Sequence, residues 1–96
     1  MTEGQVENGN MLRIVETNEI LMTTVSLEGK LLISWVPEVR TAVSAALTRG
    51  GVYLDLANLL FADAAGIQLL RELIDCERVQ LKATSPFLAA LLAATH

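Results

Sequence analysis

Few side chains in this sequence could do chemistry, and the most suggestive ones share one stretch, "LANLLFADAAGIQLL", residues 56–70. An apolar run is broken there by Asp63, Ala64, Ala65 and Gly66 before a helical pattern resumes. An aspartate where a strand hands over to a helix is a natural N-cap, its carboxylate accepting from the N–H of Ala65 or Gly66. Its charge also suits the positive end of the helix dipole. Gly66 costs roughly 1 kcal/mol relative to alanine inside the first helical turn. The residue type therefore points to a close approach by a neighbouring backbone, a ligand or a partner. Ala64 and Ala65 leave the helix start sterically open and chemically mute.

No catalytic set accompanies this stretch. His96 is the one histidine and the last residue of the sequence, so a buried Ser-His-Asp or Cys-His pair is not expected. Cys76, the one cysteine, follows Asp75 near a helix end and reads as a small half-buried hydrophobe. A lone Cys, a terminal His and dispersed carboxylates do not give the spacing of a metal site. Neither a Gly-x-Gly-x-x-Gly fingerprint nor a phosphate-loop Gly-Lys-Ser/Thr occurs. The expectation is a protein without catalysis, metal or cofactor.

The elements that position the 56–70 stretch follow from hydrophobic periodicity. "MLRIVET" alternates as a strand, and "ILMTTVSLEG", rich in Val, Thr and Ile, forms a second strand closing at Gly29. In "SWVPEVRTAVSAALTRGG" the period changes: Val36, Val39, Val43 and Leu47 recur every three or four residues, predicting a helix over about 35–49. Pro37 fits its first turn and Gly50-Gly51 its stop. "VYLDLANLLF" reads as a strand apolar on both faces as far as Leu56, which suits burial on both sides of a sheet. "AAGIQLLRELID" is helical, with Ile67, Leu70, Leu73 and Ile74 inward and Arg71 and Glu72 outward. "RVQLKAT" sets Val79, Leu81 and Ala83 against Arg78, Gln80 and Lys82 as an amphipathic strand. "SPFLAALLAAT" opens a last helix with Ser85 as N-cap and Pro86 at the first position. The order is β-β-α-β-α-β-α: one small α/β domain over 11–96 with a mixed four-stranded sheet, preceded by a disordered leader over 1–10.

With 96 residues the sequence fits one domain. A hydrophobic fraction of 52% with only 4% aromatics makes a core of Leu, Val, Ile and Ala. The net charge of −4, and seven basic residues scattered from Arg13 to Lys82, argue against nucleic acid. "MTEGQVENGN" has neither the basic region nor the apolar core of a signal peptide. The apolar "PFLAALLAA" is far shorter than the ~20 residues that span a bilayer. A single cysteine allows no internal disulfide and suits a reducing compartment. Together these features predict a cytoplasmic protein without membrane insertion.

The combination of Gly29, "GGVYLDLANLLFADAAGIQLL" and the strand-Ser-Pro-helix at 78–95 resembles a STAS domain, the module of bacterial anti-sigma factor antagonists. Such domains carry a strand ending in Asp-Leu, a few apolar residues, then Asp-Ser-Ser-Gly or Asp-Thr-Ala-Gly opening a helix. The matching positions are Asp55, Leu56, Ala57 and Asn58, then Asp63, Ala64, Ala65 and Gly66. Regulated members of the family are phosphorylated on the serine before the glycine by a kinase that doubles as an anti-sigma factor. That serine falls at Ala65, and no Ser or Thr occurs between Ala57 and Ala83. The resemblance thus implies an interaction module that escapes phospho-control at the usual site.

Implied partners are a histidine-kinase-like ATPase domain or a related signalling protein, as with variants encoded beside chemotaxis systems. The docking face would comprise Asn58, Asp63, Ala64, Ala65, Gly66 and Gln68, with Asp55 secondary. Short stand-alone STAS proteins also resemble the accessory subunit that binds the ATPase of lipid-transport ABC transporters, and a non-serine motif fits them equally. A reading from another class is a small-molecule or nucleotide sensor using the helix start near Ala64–Gly66.

Overall fold

Alternating apolar residues in the first third of the sequence build an antiparallel pair. In the computed structural model, which describes residues 12–94, β1 (Leu12–Asn18) pairs with β2 (Met22–Leu31) from Leu12↔Gly29 to Asn18↔Thr23. The leader expected over 1–10, and His96, lie outside the described residues. β2 runs two residues past the expected stop at Gly29 and ends in fully buried Leu31.

The helix predicted over 35–49 is α1 (Val36–Leu47), led in by a 3₁₀ turn over Ile33–Trp35. Val39, Val43 and Ala46 are its buried stripe, while Val36 and Leu47 are half-buried at its edges. Of the two glycines that follow, only Gly50 has a positive φ, and a Cβ there would sit 2.5 Å from the Leu21 carbonyl oxygen. Gly51 already begins β3 (Gly51–Leu56), which lies parallel to β2 over Met22–Ser26.

The single strand expected over "VYLDLANLLF" is two strands. Ala57 and Asn58 form a turn after β3, held by the Asp55 carboxylate accepting from the Ala57 N–H at 3.0 Å. β4 (Leu59–Ala62) then resumes parallel to the far end of β2, over Gly29–Leu31. The sheet therefore has five strands rather than four: β1-β2-β3-β5 in order, with β4 beside β2. This Asx turn interrupts the strand without reversing its direction, since β3 and β4 both run parallel to β2.

α2 (Ala64–Ile74), β5 (Val79–Thr84, parallel to β3) and α3 (Pro86–Ala94) complete the chain. Ser85 caps α3 as predicted, its hydroxyl accepting from the Leu88 N–H at 3.2 Å. Among the described residues no helix is long and apolar enough to cross a membrane. The result is a small α/β domain with a mixed sheet and three helices.

Burial alternates strictly along β3, and this overturns its reading as a strand covered on both sides. Val52, Leu54 and Leu56 are fully buried, whereas Gly51, Tyr53 and Asp55 are half-buried. The core gathers on one face of the sheet, where Val25, Leu27, Leu54 and Leu56 share a cluster with Val39, Val43, Leu69, Leu70 and Leu88 from the helices. β5 departs from its predicted pattern as well. Its register with β3 slips between Leu81 and Ala83, and Leu81 is 39% exposed on this outermost strand. A sheet edge has no further strand to cover it, so side-chain alternation alone does not ensure burial there.

Two substitutions test this orientation. Leu54→Ala should lower the unfolding free energy by about 2–5 kcal/mol, the range for a leucine excised from a packed core. Leu81→Ala should cost less than about 1 kcal/mol, as a partly exposed site does. Urea titrations of both variants read the difference directly.

Candidate functional site

Asp63 is the residue around which the site is built. Its backbone is extended, φ −80° and ψ −176°, as an N-cap requires. One carboxylate oxygen, Oδ1, accepts from the Gly66 N–H at 2.8 Å, as expected of the cap. Its carbonyl accepts from the Ile67 N–H at 2.8 Å, the first bond of α2. The second carboxylate oxygen, Oδ2, accepts from the Ile33 N–H at 2.9 Å, a partner 30 residues away. The Asp63 N–H in turn donates to the Leu31 carbonyl at 3.1 Å. One side chain thus joins the end of β2, the 3₁₀ turn and the start of α2.

This junction explains Gly66. The glycine is buried, and a Cβ built on it would stand 2.6 Å from the Leu31 carbonyl oxygen and 2.9 Å from Leu31 Cγ. The close approach inferred from the residue type is made by the protein's own backbone. Gly66 therefore lets α2 press against β2, and it contributes to any docking face by setting the helix position.

The other expected site residues divide into two groups. Ala64 and Gln68 are exposed and one helical turn apart, and Ala65 is half-buried beside them. Asn58 is exposed in the β3–β4 turn, where its carbonyl accepts from the Gly29 N–H at 3.2 Å. Asp55, half-buried on β3, is occupied in shaping that turn.

A cleft of about 460 Å³, open to solvent, runs along α2 and is lined by Ala62, Asp63, Ala64, Ile67, Gln68, Arg71 and Leu91. Ala64, Ile67, Gln68 and Arg71 recur at helical spacing and so share one side of α2. The opposite wall comes from Leu91 of α3, a residue with no sequence signal tying it to the 56–70 stretch. Arg71 was expected to point outward, yet it is half-buried, and its guanidinium donates to the Leu92 carbonyl at 3.1 Å. That bond ties α3 to α2, and a cation near the C-terminal end of a helix is favoured by the helix dipole.

Large apolar side chains surround this end of the domain. Leu60 and Phe61, just before Ala62 in β4, are 70% and 40% exposed. Phe87 is 51% exposed and stands one turn before Leu91 on the same side of α3. The cleft lining itself joins apolar Ala62, Ala64, Ile67 and Leu91 with polar Asp63, Gln68 and Arg71. Cys76 is half-buried against the core just past the end of α2 and does not line the cleft. Among the described residues no group of three or more His, Cys, Asp or Glu side chains is placed to hold a metal ion. No family model matches the chain, and no curated protein matches it either.

The junction gives two predictions whose signs differ from ordinary helix behaviour. Gly66→Ala normally stabilises a helix by up to about 1 kcal/mol; here it should destabilise by about 1–3 kcal/mol, because backbone must move to admit the methyl group. Asp63→Ala removes both carboxylate bonds and should cost about 2–3 kcal/mol, more than the ~1 kcal/mol typical of a lost cap. Thermal or chemical unfolding of the two variants measures both.

Proposed function

We propose that the chain is a non-catalytic protein-interaction module of a bacterial signalling system, docking its partner at the start of α2. The reading takes its system from the resemblance to anti-sigma factor antagonists and its surface from the geometry of this end of the domain. The observation that carries it is the open cleft along α2, with exposed Ala64 and Gln68 on one wall, bordered by β4 and α3, which expose Leu60, Phe61 and Phe87. Apolar side chains gathered around a concavity, with polar groups at its margin, characterise protein-binding surfaces.

Alanine at 64 and 65 makes this face permanently receptive. A phosphoryl group at either position would add about two negative charges next to Asp63 and beside an apolar cleft. Neither alanine offers an oxygen to carry one. Docking would therefore be governed by the amount of partner and of this chain instead of by phosphorylation at the motif.

Affinity capture followed by mass spectrometry tests the proposal with wild type, Ala65→Ser and Ala65→Glu. Wild type and the serine form should retain the same partner, and the glutamate form should release it, with affinity weakened by about tenfold or more. The captured protein's identity separates a signalling kinase from a transporter ATPase. Equal capture by all three forms, with circular dichroism unchanged, would reduce the 63–66 motif to a helix cap.

A further inference from the structure

The three helices are not anchored alike. α1 buries Val39, Val43 and Ala46, and α2 buries Gly66, Ile67, Leu69 and Leu70. α3 is nine residues long and carries no charged side chain. Among its described side chains Leu88 is the one fully buried. Leu91 and Leu92 are half-buried, and Phe87, Ala89, Ala90 and Ala93 are exposed. An isolated helix needs roughly 12–15 residues to hold in water, so α3 is helical only because it is docked.

Polar ties hold α3 at both ends. Ser85 is the single residue between β5 and α3, and its hydroxyl donates to the Leu59 carbonyl of β4 at 3.4 Å while capping Leu88. At the far end the Arg71 guanidinium donates to the Leu92 carbonyl at 3.1 Å. Carbonyls in the last turn of a helix have no partner within it, so α2 supplies a bond that α3 cannot make for itself. Between these ends Leu91 forms the α3 wall of the cleft. Every described strand precedes α3 in the chain, so α3 can leave with the sheet intact.

We propose that α3 is a gate that opens and recloses as one cooperative unit on Ser85, latched by Leu88 and Arg71, while the sheet, α1 and α2 stay folded. Segments with few buried apolar contacts are the ones that open below global unfolding. Closed, the gate completes the cleft with Leu91. Open, it removes that wall and draws away from β4, against which it lies and whose Leu59 and Ala62 are buried. Anything held against Leu91 therefore favours the closed form, and its apparent affinity carries the closed fraction. The inference stands apart from the docking reading, because it concerns the chain by itself.

Native-state hydrogen exchange on the full chain, read amide by amide by NMR at low denaturant, tests the gate. In wild type the amides of Ala89, Ala90, Leu91 and Leu92 should share one opening equilibrium. That opening should be at least about tenfold more populated than the one exposing Val43 in α1 or Leu70 in α2. Leu88→Ala should raise the α3 opening about twentyfold or more, and Arg71→Met about tenfold. Val43→Ala should speed exchange in α1 and leave α3 unchanged, because α1 is folded whether the gate is open or closed. Three results overturn the inference: α3 amides that open only together with α1 and α2, rates graded upward toward Ala94 as in simple fraying, or α3 speeded by Val43→Ala as much as α1 is. Arg71→Met with wild-type exchange in α3 removes the latch and overturns it too. If either core variant does not fold, the wild-type rates and Arg71→Met decide.

Discussion

The Asp63 carboxylate bonds two backbone N–H groups on separate elements, Gly66 at 2.8 Å in α2 and Ile33 at 2.9 Å in the turn before α1. An N-cap usually satisfies its own helix and nothing more. Here the second oxygen also settles a donor that the end of β2 leaves behind, so the positions of α1 and α2 both depend on a single side chain. The packing follows from that junction. α2 is drawn close enough to β2 that residue 66 has no space for a methyl group, and Ile67 and Leu70 enter the core. The cleft is what remains between the outward side of α2 and α3 once Arg71 has bonded the Leu92 carbonyl.

A second constraint shapes the same end of the molecule. The Asp55 carboxylate and the Ala57–Asn58 turn break the third strand, and its continuation, β4, pairs with β2 in a shifted register. Within β4 the register with β2 shifts between Leu59 and Phe61, so Leu59 and Ala62 are buried while Leu60 and Phe61, between them, are exposed. An uninterrupted strand would show simple alternation. The exposure of these two apolar side chains is therefore a consequence of the shifted register in β4. Two aspartates, one at each end of this short segment, act through backbone N–H groups: Asp55 shapes the turn that ends β3, and Asp63 places the helix.

Periodicity made most of the architecture legible, because each helix and strand carries its own pattern of burial. Val39 and Val43 in α1, Ile67 and Leu70 in α2, and the Ser85-Pro86 start of α3 are local signals, and the structure places them as local physics requires. Where the reading departed from the fold, the deciding contact was either a local one masked by hydrophobicity or one made elsewhere in the chain. Continuous hydrophobicity in "VYLDLANLLF" conceals a turn whose signal is only a carboxylate two residues before an N–H. The side chains of Leu81 and Arg71 were assigned by alternation and helical phase. Leu81 lies on the outermost strand, and Arg71 has a carbonyl of α3 within reach, and neither fact can be read from spacing.

By itself, then, the sequence determined the succession of elements apart from the splitting of the third strand, the aliphatic character of the core, the capping role of Asp63 and the absence of hydroxyl groups at positions 64 and 65. These are properties of residue type and near-neighbour spacing, and they hold in any tertiary arrangement. Only the tertiary structure decided what approaches Gly66, which oxygen of Asp63 reaches Ile33, and how α3 closes the cleft. Each of these depends on contacts between residues 20 or more positions apart. Such contacts are set by how buried faces pack together and leave no periodic trace along the chain.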